Sequence, residues 1–259
     1  GHLENISKRE TLKRYLPVYY LGLKNSLIYR ANMIMKLVLQ LASLLVTVLM
    51  WKFILAESGN FQQMTRYLLA TNLISLIFTT GPVFQFADMV ESGNLSLYLT
   101  RPLSLYWYLF NYNLGLQTPL LLLYLILLLF LVKSAGPVFL LLIYLLLSSL
   151  MFFSLMMVLA MLSFWLINMW PLRSGINAVY LLLGGLYFPL NLLGPVYQYL
   201  KYNPFSLVTD FPARLLTGTT DQRDFFTNCL AVCCWLLLSV LLGKALFKKG
   251  IKTFEGAGA

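Results

Sequence analysis

Charged side chains and histidine are scarce in this chain. Charged residues make up 11% of its 259 residues and hydrophobic residues 59%, whereas soluble domains average about 25% charged residues. These proportions argue against a soluble enzyme and against a disordered protein. The only histidine is His2, and Gly1-His2 has the form of a cloning remnant. No Ser/His/Asp triad and no HExxH metal site can therefore be assembled.

Cysteine and nucleotide-binding motifs are equally limited. The three cysteines lie in one apolar segment without CxxC spacing, at Cys229, Cys233 and Cys234, which favours packing in a membrane helix over metal binding. The phosphate loop GxxxxGK[ST] is missing, because Gly243-Lys244-Ala245 lacks the upstream glycine and the hydroxyl. We therefore expect no catalytic residue, metal site or cofactor in this chain, and no ATP hydrolysis by that machinery.

Long apolar runs dominate what is present. Residues Pro119–Val132 read PLLLLYLILLLFLV, fourteen residues without a charge, and Val138–Leu166 has only Tyr and Ser as polar interruptions. A soluble core helix keeps a polar face for water, whereas these runs have none, so hydrocarbon is their natural solvent. The sequence predicts an all-α integral membrane protein.

The apolar pattern predicts six transmembrane helices. The predicted spans are Ala31–Leu55, Tyr67–Pro82, Leu105–Val132, Pro137–Trp170, Gly175–Leu193 and Phe225–Phe247. They form a transmembrane domain over 31–247, which follows residues 1–30 and precedes a basic tail over 248–259. Lys36 and Lys52 lie near the ends of the first span, where long side chains reach water. We expect this span to serve as the signal anchor, because no cleavable signal pattern precedes it.

The placement of the basic residues predicts the orientation. The net charge of +10 lies mainly at the chain ends beside apolar runs, which fits the positive-inside bias better than nucleic-acid binding. With both termini inside, the inner side holds 13 of the 19 basic residues: Lys8, Arg9, Lys13, Arg14, Lys24, Arg30, Lys36, Arg101, Arg173, Lys244, Lys248, Lys249 and Lys252. The other 6 lie outside: Lys52, Arg66, Lys133, Lys201, Arg214 and Arg223. We therefore expect a multi-pass protein of the cell (plasma or inner) membrane with both termini in the cytoplasm.

The segment before the first span is amphipathic. Apolar and tyrosine side chains recur there at helical spacing, at Leu12, Tyr15, Leu16, Tyr19, Tyr20, Leu23 and Leu27. Tyrosine at the boundary and cations toward headgroups predict an interfacial helix lying on the inner leaflet. An ordinary juxtamembrane cluster of basic residues is the alternative. Pro17 should start a turn or kink the helix.

Two connections are longer than turns. Val83–Ser104 is cytoplasmic in this topology, and its breaker Ser92-Gly93-Asn94 predicts a small helix parallel to the membrane. Gly194–Asp224 lies outside in this topology and is too apolar for a floppy loop, so it is predicted to be re-entrant or interfacial. Gly184, Gly185 and Pro189 should weaken or kink the fifth span just before it.

Four polar side chains stand out within the spans: Gln40, Asn72, Asn113 and Gln117. Asn113 and Gln117 are four residues apart and share a helix face. Two interpretations remain open for all four. They are candidates for lining a pathway, or they form interhelical hydrogen bonds that hold the bundle together.

The order of these parts resembles the permease subunits of ATP-binding-cassette exporters of the second type, also called type V exporters. Two local segments add to the resemblance. Glu91–Ser104 reads ESGNLSLYLTRPLS and is similar to the family's loop G-x-(L/I)-x-x-(Y/L)-L-(L/x)-(K/R)-P-L. Asn203–Gly218 reads NPFSLVTDFPARLLTG and resembles its outer P-F…(F/Y)-P-A…G segment.

The resemblance implies a set of partners and roles. The loop after the second span would form a coupling helix that contacts a separate ATPase, which would bind ATP and Mg. The implied contact residues are Asp88, Glu91, Gly93, Arg101 and Pro102. A second permease, identical or homologous, and membrane lipids would complete the assembly. An external gate would involve Gly184, Gly185, Pro189, Pro204 and Phe205.

Three functions remain open at this point. The first is an exporter permease driven by a partner ATPase, which fits a chain without its own energy source. The second is a membrane-embedded enzyme such as a lipid transferase, against which the missing histidine and acid clusters argue. The third is a stand-alone channel or the substrate-binding membrane subunit of an uptake system. Lipids, glycans, peptides and drugs all remain possible substrates.

Overall fold

A computed structural model describes residues 2–55, 60–131, 135–218, 220 and 222–257. Within these ranges the chain forms helices joined by turns, without a strand. The α-helices are α1 His2–Ile28, α2 Arg30–Ile54, α3 Phe61–Ser75, α4 Gly81–Glu91, α5 Leu95–Leu99, α6 Leu105–Leu131, α7 Ala135–Ala160, α8 Leu172–Leu183, α9 Tyr197–Leu200, α10 Pro204–Val208, α11 Asp210–Leu216 and α12 Gln222–Ala257. Short 3₁₀ segments cover Met161–Phe164 and Leu190–Val196.

Four stretches of the described chain are long and apolar enough to cross a membrane. They are Arg30–Ile54, Leu105–Ile126, Val138–Phe164 and Arg223–Phe254. These match the predicted first, third, fourth and sixth spans, so the all-helical class and the membrane character are confirmed. The predicted second and fifth spans take a different form, and the count of six stays a prediction.

The predicted second span, Tyr67–Pro82, is wrong in its bounds. Helix α3 ends at Ser75, and Pro82 is the second residue of α4 rather than the end of a helix. Proline suits the first turn of a helix, where its missing N–H has no intrahelical partner in any case. Val83, Phe86 and Ala87 are buried where α4 packs against α7. Residues 83–91 therefore form a core-packed helix with Asp88 and Glu91 on its exposed side, and residues 92–104, apart from the buried Leu95, form the exposed connection.

The predicted fourth and fifth spans are too long at their C-termini. Helix α7 ends at Ala160 and a 3₁₀ turn continues to Phe164, short of the predicted end at Trp170. Helix α8 stops at Leu183, because Gly184 caps it and Gly185 adopts a φ of 73°. The predicted break at these glycines is confirmed, but it ends the helix and does not merely kink it.

The last helix runs through the predicted start of the basic tail. Helix α12 continues to Ala257 without a break at Phe247. Gly250 is buried beside the ring of Phe164, and the ring of Phe254 lies 6.4 Å from the same ring. The first residues of the predicted tail are thus packed against the 3₁₀ turn that follows α7.

Helix α1 packs along α6 and continues through Pro17 without a turn. The two backbones approach closely at Gly22 and Gly115, where an added Cβ would lie 2.1 Å and 2.2 Å from a carbonyl oxygen of the other helix. Small residues at such crossings are typical of membrane helix pairs. Of the predicted apolar stripe, Leu16, Tyr20 and Leu27 face away from the protein and are more than half exposed. The interfacial location of α1 stays a prediction.

Candidate functional site

The break after α8 is held by side chains from other elements. The carbonyls of the last helical turn have no intrahelical partners. Here the amide of Asn203 donates to the Leu183 carbonyl at 3.0 Å, and the Thr209 hydroxyl donates to the Gly184 carbonyl. Both donors come from the segment around α10, so this segment caps the broken helix.

Two further donors reach the residues just beyond the break. Asn72 of α3 donates to the Leu186 carbonyl at 3.2 Å. Trp51 near the end of α2 donates its indole N–H to the Tyr187 carbonyl at 2.8 Å. Helices α2 and α3 are therefore connected to the C-terminal end of α8. The connection runs through the Leu186 and Tyr187 carbonyls, which follow the end of that helix.

Glycine is required at the break by space as well as by conformation. A Cβ on Gly184 would lie 2.8 Å from the Thr209 hydroxyl, and one on Gly185 would lie 2.6 Å from the Tyr67 hydroxyl. Pro189, another predicted gate residue, is extended and precedes the 3₁₀ segment. The predicted gate residues Gly184, Gly185, Pro204 and Phe205 come together here, since Phe205 packs 5.7 Å from Tyr180 of α8.

Helices α10 and α11 are enclosed by the bundle. All ten residues from Pro204 to Ala213 are buried, and they contact α3, α7, α8 and α12. Helix α10 begins at Asn203, whose side chain accepts from the backbone N–H of Phe205 and Ser206 at 2.9 Å each, a standard N-cap. Residues 204–213 of the predicted apolar segment are therefore built into the core, and its re-entrant character stays a prediction.

A buried ion pair lies inside this segment. The guanidinium of Arg214 donates to Asp210 Oδ2 at 3.0 Å, and their side chains are 14% and 2% exposed. The hydroxyls of Tyr67 and Tyr197 also donate to the Asp210 carboxylate. A buried carboxylate needs such partners, because desolvating an unpaired charge is costly.

The sequence prediction missed this pair. The sequence analysis counted Arg214 among the outer basic residues. It assigned no role to Asp210, which lies within the segment Asn203–Gly218. The available signal was two opposite charges four residues apart within an otherwise apolar stretch, which predicts an ion pair on one helix face.

The predicted pathway residues separate into two groups. Gln40 donates to Asn72 Oδ1 at 2.7 Å, and Asn72 is 4% exposed. Asn113 donates to Gln85 Oε1 at 2.9 Å, and Gln117 donates to the Thr79 hydroxyl at 3.2 Å. Gln40, Asn72 and Asn113 thus make interhelical hydrogen bonds, and Gln117 bonds to the turn between α3 and α4. The first pair belongs to the capped break, and pathway lining stays a prediction for both pairs.

The second group borders a polar cavity of about 390 Å³ between α1, α2, α4 and α6. Its lining comprises Asn25, Ser26, Tyr29, Asn32, Met33, Lys36, Thr79, Gly81, Gln85, Tyr112, Asn113, Leu116, Gln117 and Leu120. The α2 residues Asn32 and Lys36 are exposed, whereas Gln85 and Asn113 are half-buried. The cavity therefore opens beside α2 and has its floor on α4 and α6.

The opposite end of the molecule carries the predicted contact residues. Asp88, Gly93, Arg101 and Pro102 are exposed. Gly93 has a φ of 74° in the turn between α4 and α5, with no atom within 4 Å of an added Cβ. The Arg101 guanidinium lies 4.7 Å from the ring centre of Tyr98, so stacking orders the end of α5.

Glu91 connects this end to the turn before α8. Its carboxylate accepts from the backbone N–H of Met169 at 2.9 Å. Close by, the guanidinium of Arg173 lies 4.6 Å from the ring of Trp170 and 5.4 Å from that of Phe84 on α4. The Tyr15 hydroxyl accepts from the backbone N–H of Ser104 at 3.0 Å. The connections predicted to be cytoplasmic therefore lie together at one end.

Comparison with known proteins agrees with the architecture. Residues 37–258 match the family model described as ABC-2 family transporter protein. No curated protein matches the chain. The match extends from α2 to the end of α12 and includes both the capped break and the exposed connection at 92–104. Since it spans most of the sequence, the chain is a membrane protein that belongs to the ABC-2 transporter family.

Proposed function

We propose that this chain is the permease subunit of an exporter whose energy comes from ATP hydrolysed by separate subunits. The family match over 37–258 carries the proposal. The sequence supports it, because a chain without a phosphate loop must couple to a partner or to an ion gradient. The Asp210 carboxylate already accepts from Arg214, Tyr67 and Tyr197, so we do not assign it as an ion-coupling site.

The ATPase contact in this proposal is the exposed connection at 92–104 with the flanking Asp88. Asp88 and Arg101 are exposed and form no ion pair with another described residue. Glu91 ties the base of the connection to the turn before α8. A push on this surface would therefore reach α4 and α8 together, and α8 leads to the capped break at the other end.

The break is the external gate in this proposal. The hydrogen bonds that other elements donate to the break are released and re-formed as the bundle moves. The donors are Trp51, Asn72, Asn203 and Thr209. Gly184 and Gly185 place no side chain at this point. Two such chains would face each other to enclose the pathway, with Gln40 and Asn72 near it. Both termini would then lie in the cytoplasm of a cell that exports the substrate across its plasma or inner membrane.

The first test is purification of the tagged permease from its native membrane. We expect a nucleotide-binding subunit and a second permease copy to co-purify, with Mg-dependent ATP hydrolysis by the complex. An active monomeric permease without these subunits would contradict the proposal and favour a channel or an uptake subunit.

The second test is cysteine labelling of the orientation. Arg173 and Tyr199 are both exposed and lie at opposite ends of α8 and its extension. In a cysteine-free background, Arg173→Cys should react only with reagent from the cytoplasmic side and Tyr199→Cys from outside. The opposite pattern would overturn the orientation. Lys133, which the charge count places outside, lies beyond the described residues.

A further inference from the structure

A cleft of about 570 Å³ lies between α7, α12 and the start of α6. One face of α7 lines it from Leu150 to Met161, and one face of α12 lines it from Leu236 to Phe247. The ends of each face lie eleven residues apart, which is about 16 Å of helix at 1.5 Å per residue. This length is about half of a hydrocarbon core of roughly 30 Å. Ser104 also lines the cleft, so the cleft extends through the leaflet nearer to the exposed connection at 92–104.

The lining of this cleft is mainly apolar. Phe86, Met157 and Met161 are buried, and Leu236 is half-buried. Trp107, which is 44% exposed, lies at the opening. Parts of three membrane-crossing stretches form the walls, so the cleft opens at the depth of hydrocarbon. An opening there admits a hydrocarbon chain, and methionine side chains adapt readily to the shape of such a ligand.

Two buried serines line the cleft and differ in their hydrogen bonds. Ser154 of α7 donates to the Leu150 carbonyl and accepts from the Tyr106 hydroxyl, both at 2.7 Å. Ser239 of α12 is 2% exposed, and its hydroxyl has no hydrogen bond to a described residue. A buried helix serine commonly bonds back to a carbonyl of the preceding turn, as Ser154 does. The Ser239 hydroxyl is therefore an unpartnered buried donor in the lining, and such a group requires an explanation.

Water satisfies this hydroxyl poorly. A buried water molecule needs about two to four polar partners, and the neighbouring side chains of the same wall, Leu236 and Val240, offer none. The next polar group of this wall is Lys244, five residues further along α12, which is exposed and pairs with no described carboxylate. An ammonium group only donates hydrogen bonds. The arrangement suits a ligand with a hydrocarbon chain, an acceptor beside Ser239 and a polar group at the membrane surface.

We propose that this cleft binds one acyl chain of a phospholipid as a resident ligand. The chain lies along Met157, Met161 and Leu236, and an ester carbonyl of the lipid accepts from the Ser239 hydroxyl. The headgroup stays at the membrane surface beside Lys244, where water screens charges, so a zwitterionic headgroup suffices. The volume of about 570 Å³ lies within the usual range of roughly 300–1,000 Å³ for small-molecule sites.

This ligand is distinct from a transported substrate. None of the predicted pathway or gate residues lines the cleft. The proposal requires only that the chain lies in a membrane, so it does not depend on the exporter assignment. Because α6 begins where the exposed connection ends, a chain beside Leu105 and Trp107 would support the base of that connection.

Native mass spectrometry of the delipidated permease in detergent tests the site. The probes are palmitoyl-oleoyl phosphatidylcholine, glycerophosphocholine and palmitate. We expect one phosphatidylcholine to be retained per chain, and at least tenfold weaker retention of the other two. Equal retention of glycerophosphocholine would show a headgroup site, and equal retention of palmitate a fatty-acid site. Either result, or no retained lipid at all, would overturn the proposal.

Two variants and a control locate the bound chain. A Cβ on Gly243 would have only Val158 nearby, at 3.7 Å, so Gly243→Leu should fold, fill the cleft and lower phosphatidylcholine retention at least tenfold. Ser239→Ala keeps the space but removes the donor, and it should weaken retention about fivefold, the loss expected for one hydrogen bond. Ala245→Leu is the matched control, because Ala245 is exposed on α12 and lies outside the lining. It should retain lipid as the unmodified chain does.

Thermal unfolding in the same detergent separates loss of binding from loss of the fold. A ligand that binds only the folded chain raises its unfolding temperature. Added phosphatidylcholine should therefore stabilise the unmodified chain and Ala245→Leu, and should not stabilise Gly243→Leu. Normal retention in both Gly243→Leu and Ser239→Ala, or equal losses in Gly243→Leu and Ala245→Leu, would refute the site.

Discussion

The connections at the two ends of the molecule contain similar residues and serve different purposes. The exposed connection at 92–104 with the flanking Asp88 carries an acid, an arginine, a proline and aromatic or apolar side chains. The segment at 203–216 carries the same kinds of side chain. In the first, Asp88 and Arg101 are exposed. In the second, Asp210 is buried and bonded to Arg214, whose side chain is only 14% exposed. An acid and an arginine therefore stabilise the fold where they are enclosed. Where they are exposed, they remain available to a partner.

Burial also decides what a glycine does at each end. Gly93 and Gly185 have nearly equal φ angles, 74° and 73°. Around Gly93 there is open space, whereas a Cβ on Gly185 would meet the Tyr67 hydroxyl at 2.6 Å. Gly93 is thus needed only for its backbone conformation. Gly185 is needed for its size as well, because Tyr67 holds Asp210 in place.

The largest expected effect is that of Asp210→Ala. It would leave the buried Arg214 without its carboxylate and the Tyr67 hydroxyl without its acceptor, and removing one partner of a buried ion pair costs about 3–5 kcal/mol of unfolding free energy. Asp88→Ala is the matched control at the other end and should change stability by less than about 0.5 kcal/mol. Denaturation of the purified variants in detergent measures both. Equal losses would remove the distinction between the two ends.

The next effect compares the two glycines. Gly93→Ala should cost about 1–2 kcal/mol, the penalty of the left-handed backbone conformation. Gly185→Ala carries the same penalty and must also displace the Tyr67 hydroxyl, and overpacking adds about 1–3 kcal/mol. The same denaturation measurement should therefore rank Gly185→Ala as the more destabilised variant. The reverse order would show that the break is loosely packed.

The long helices were predictable because their signal is local. An uninterrupted apolar run such as Pro119–Val132 forms a helix in hydrocarbon, because a helix satisfies its own backbone hydrogen bonds. The helix break at Gly184-Gly185 is indicated by two adjacent glycines. The segment Gly194–Asp224, which contains residues 203–216, was predicted to be re-entrant or interfacial from its apolar composition and its short length. These features can be predicted from the local sequence, without knowing which helices pack against each segment.

The interhelical contacts were not predictable from one sequence. Tyr67 and Asp210 are 143 residues apart, and nothing near either residue points to the other. The close crossing of Gly22 and Gly115 depends on which face of α1 meets α6. The amphipathic stripe predicted an interfacial helix and did not indicate which face of α1 would contact α6. The polar cavity combines residues from four helices, of which the sequence singled out only Asn113 and Gln117 as pathway candidates.

The smallest expected effect on stability is that of charge reversal at the exposed connection. Asp88→Lys and Arg101→Glu should each change the unfolding free energy by less than about 0.5 kcal/mol, because their side chains are exposed. Glu91→Lys should cost about 1–2 kcal/mol, because it removes the acceptor of the Met169 N–H. The same denaturation series measures all three. A large loss in Asp88→Lys would show that this surface is part of the fold.

The variants that change the unfolding free energy least should lower ATPase stimulation most. If the exposed charges contact an ATPase, then Asp88→Lys and Arg101→Glu lower permease-stimulated ATP hydrolysis while the permease stays folded and membrane-inserted. Asp210→Asn, which keeps side-chain oxygen and size at the other end, should leave the ATPase contact intact even where stability falls. Co-purification and Mg-dependent ATP hydrolysis measure the contact. Normal stimulation in each of the single variants Asp88→Lys, Glu91→Lys and Arg101→Glu would remove the connection from the coupling mechanism, since reversing a charge that contacts a complementary partner groove introduces repulsion.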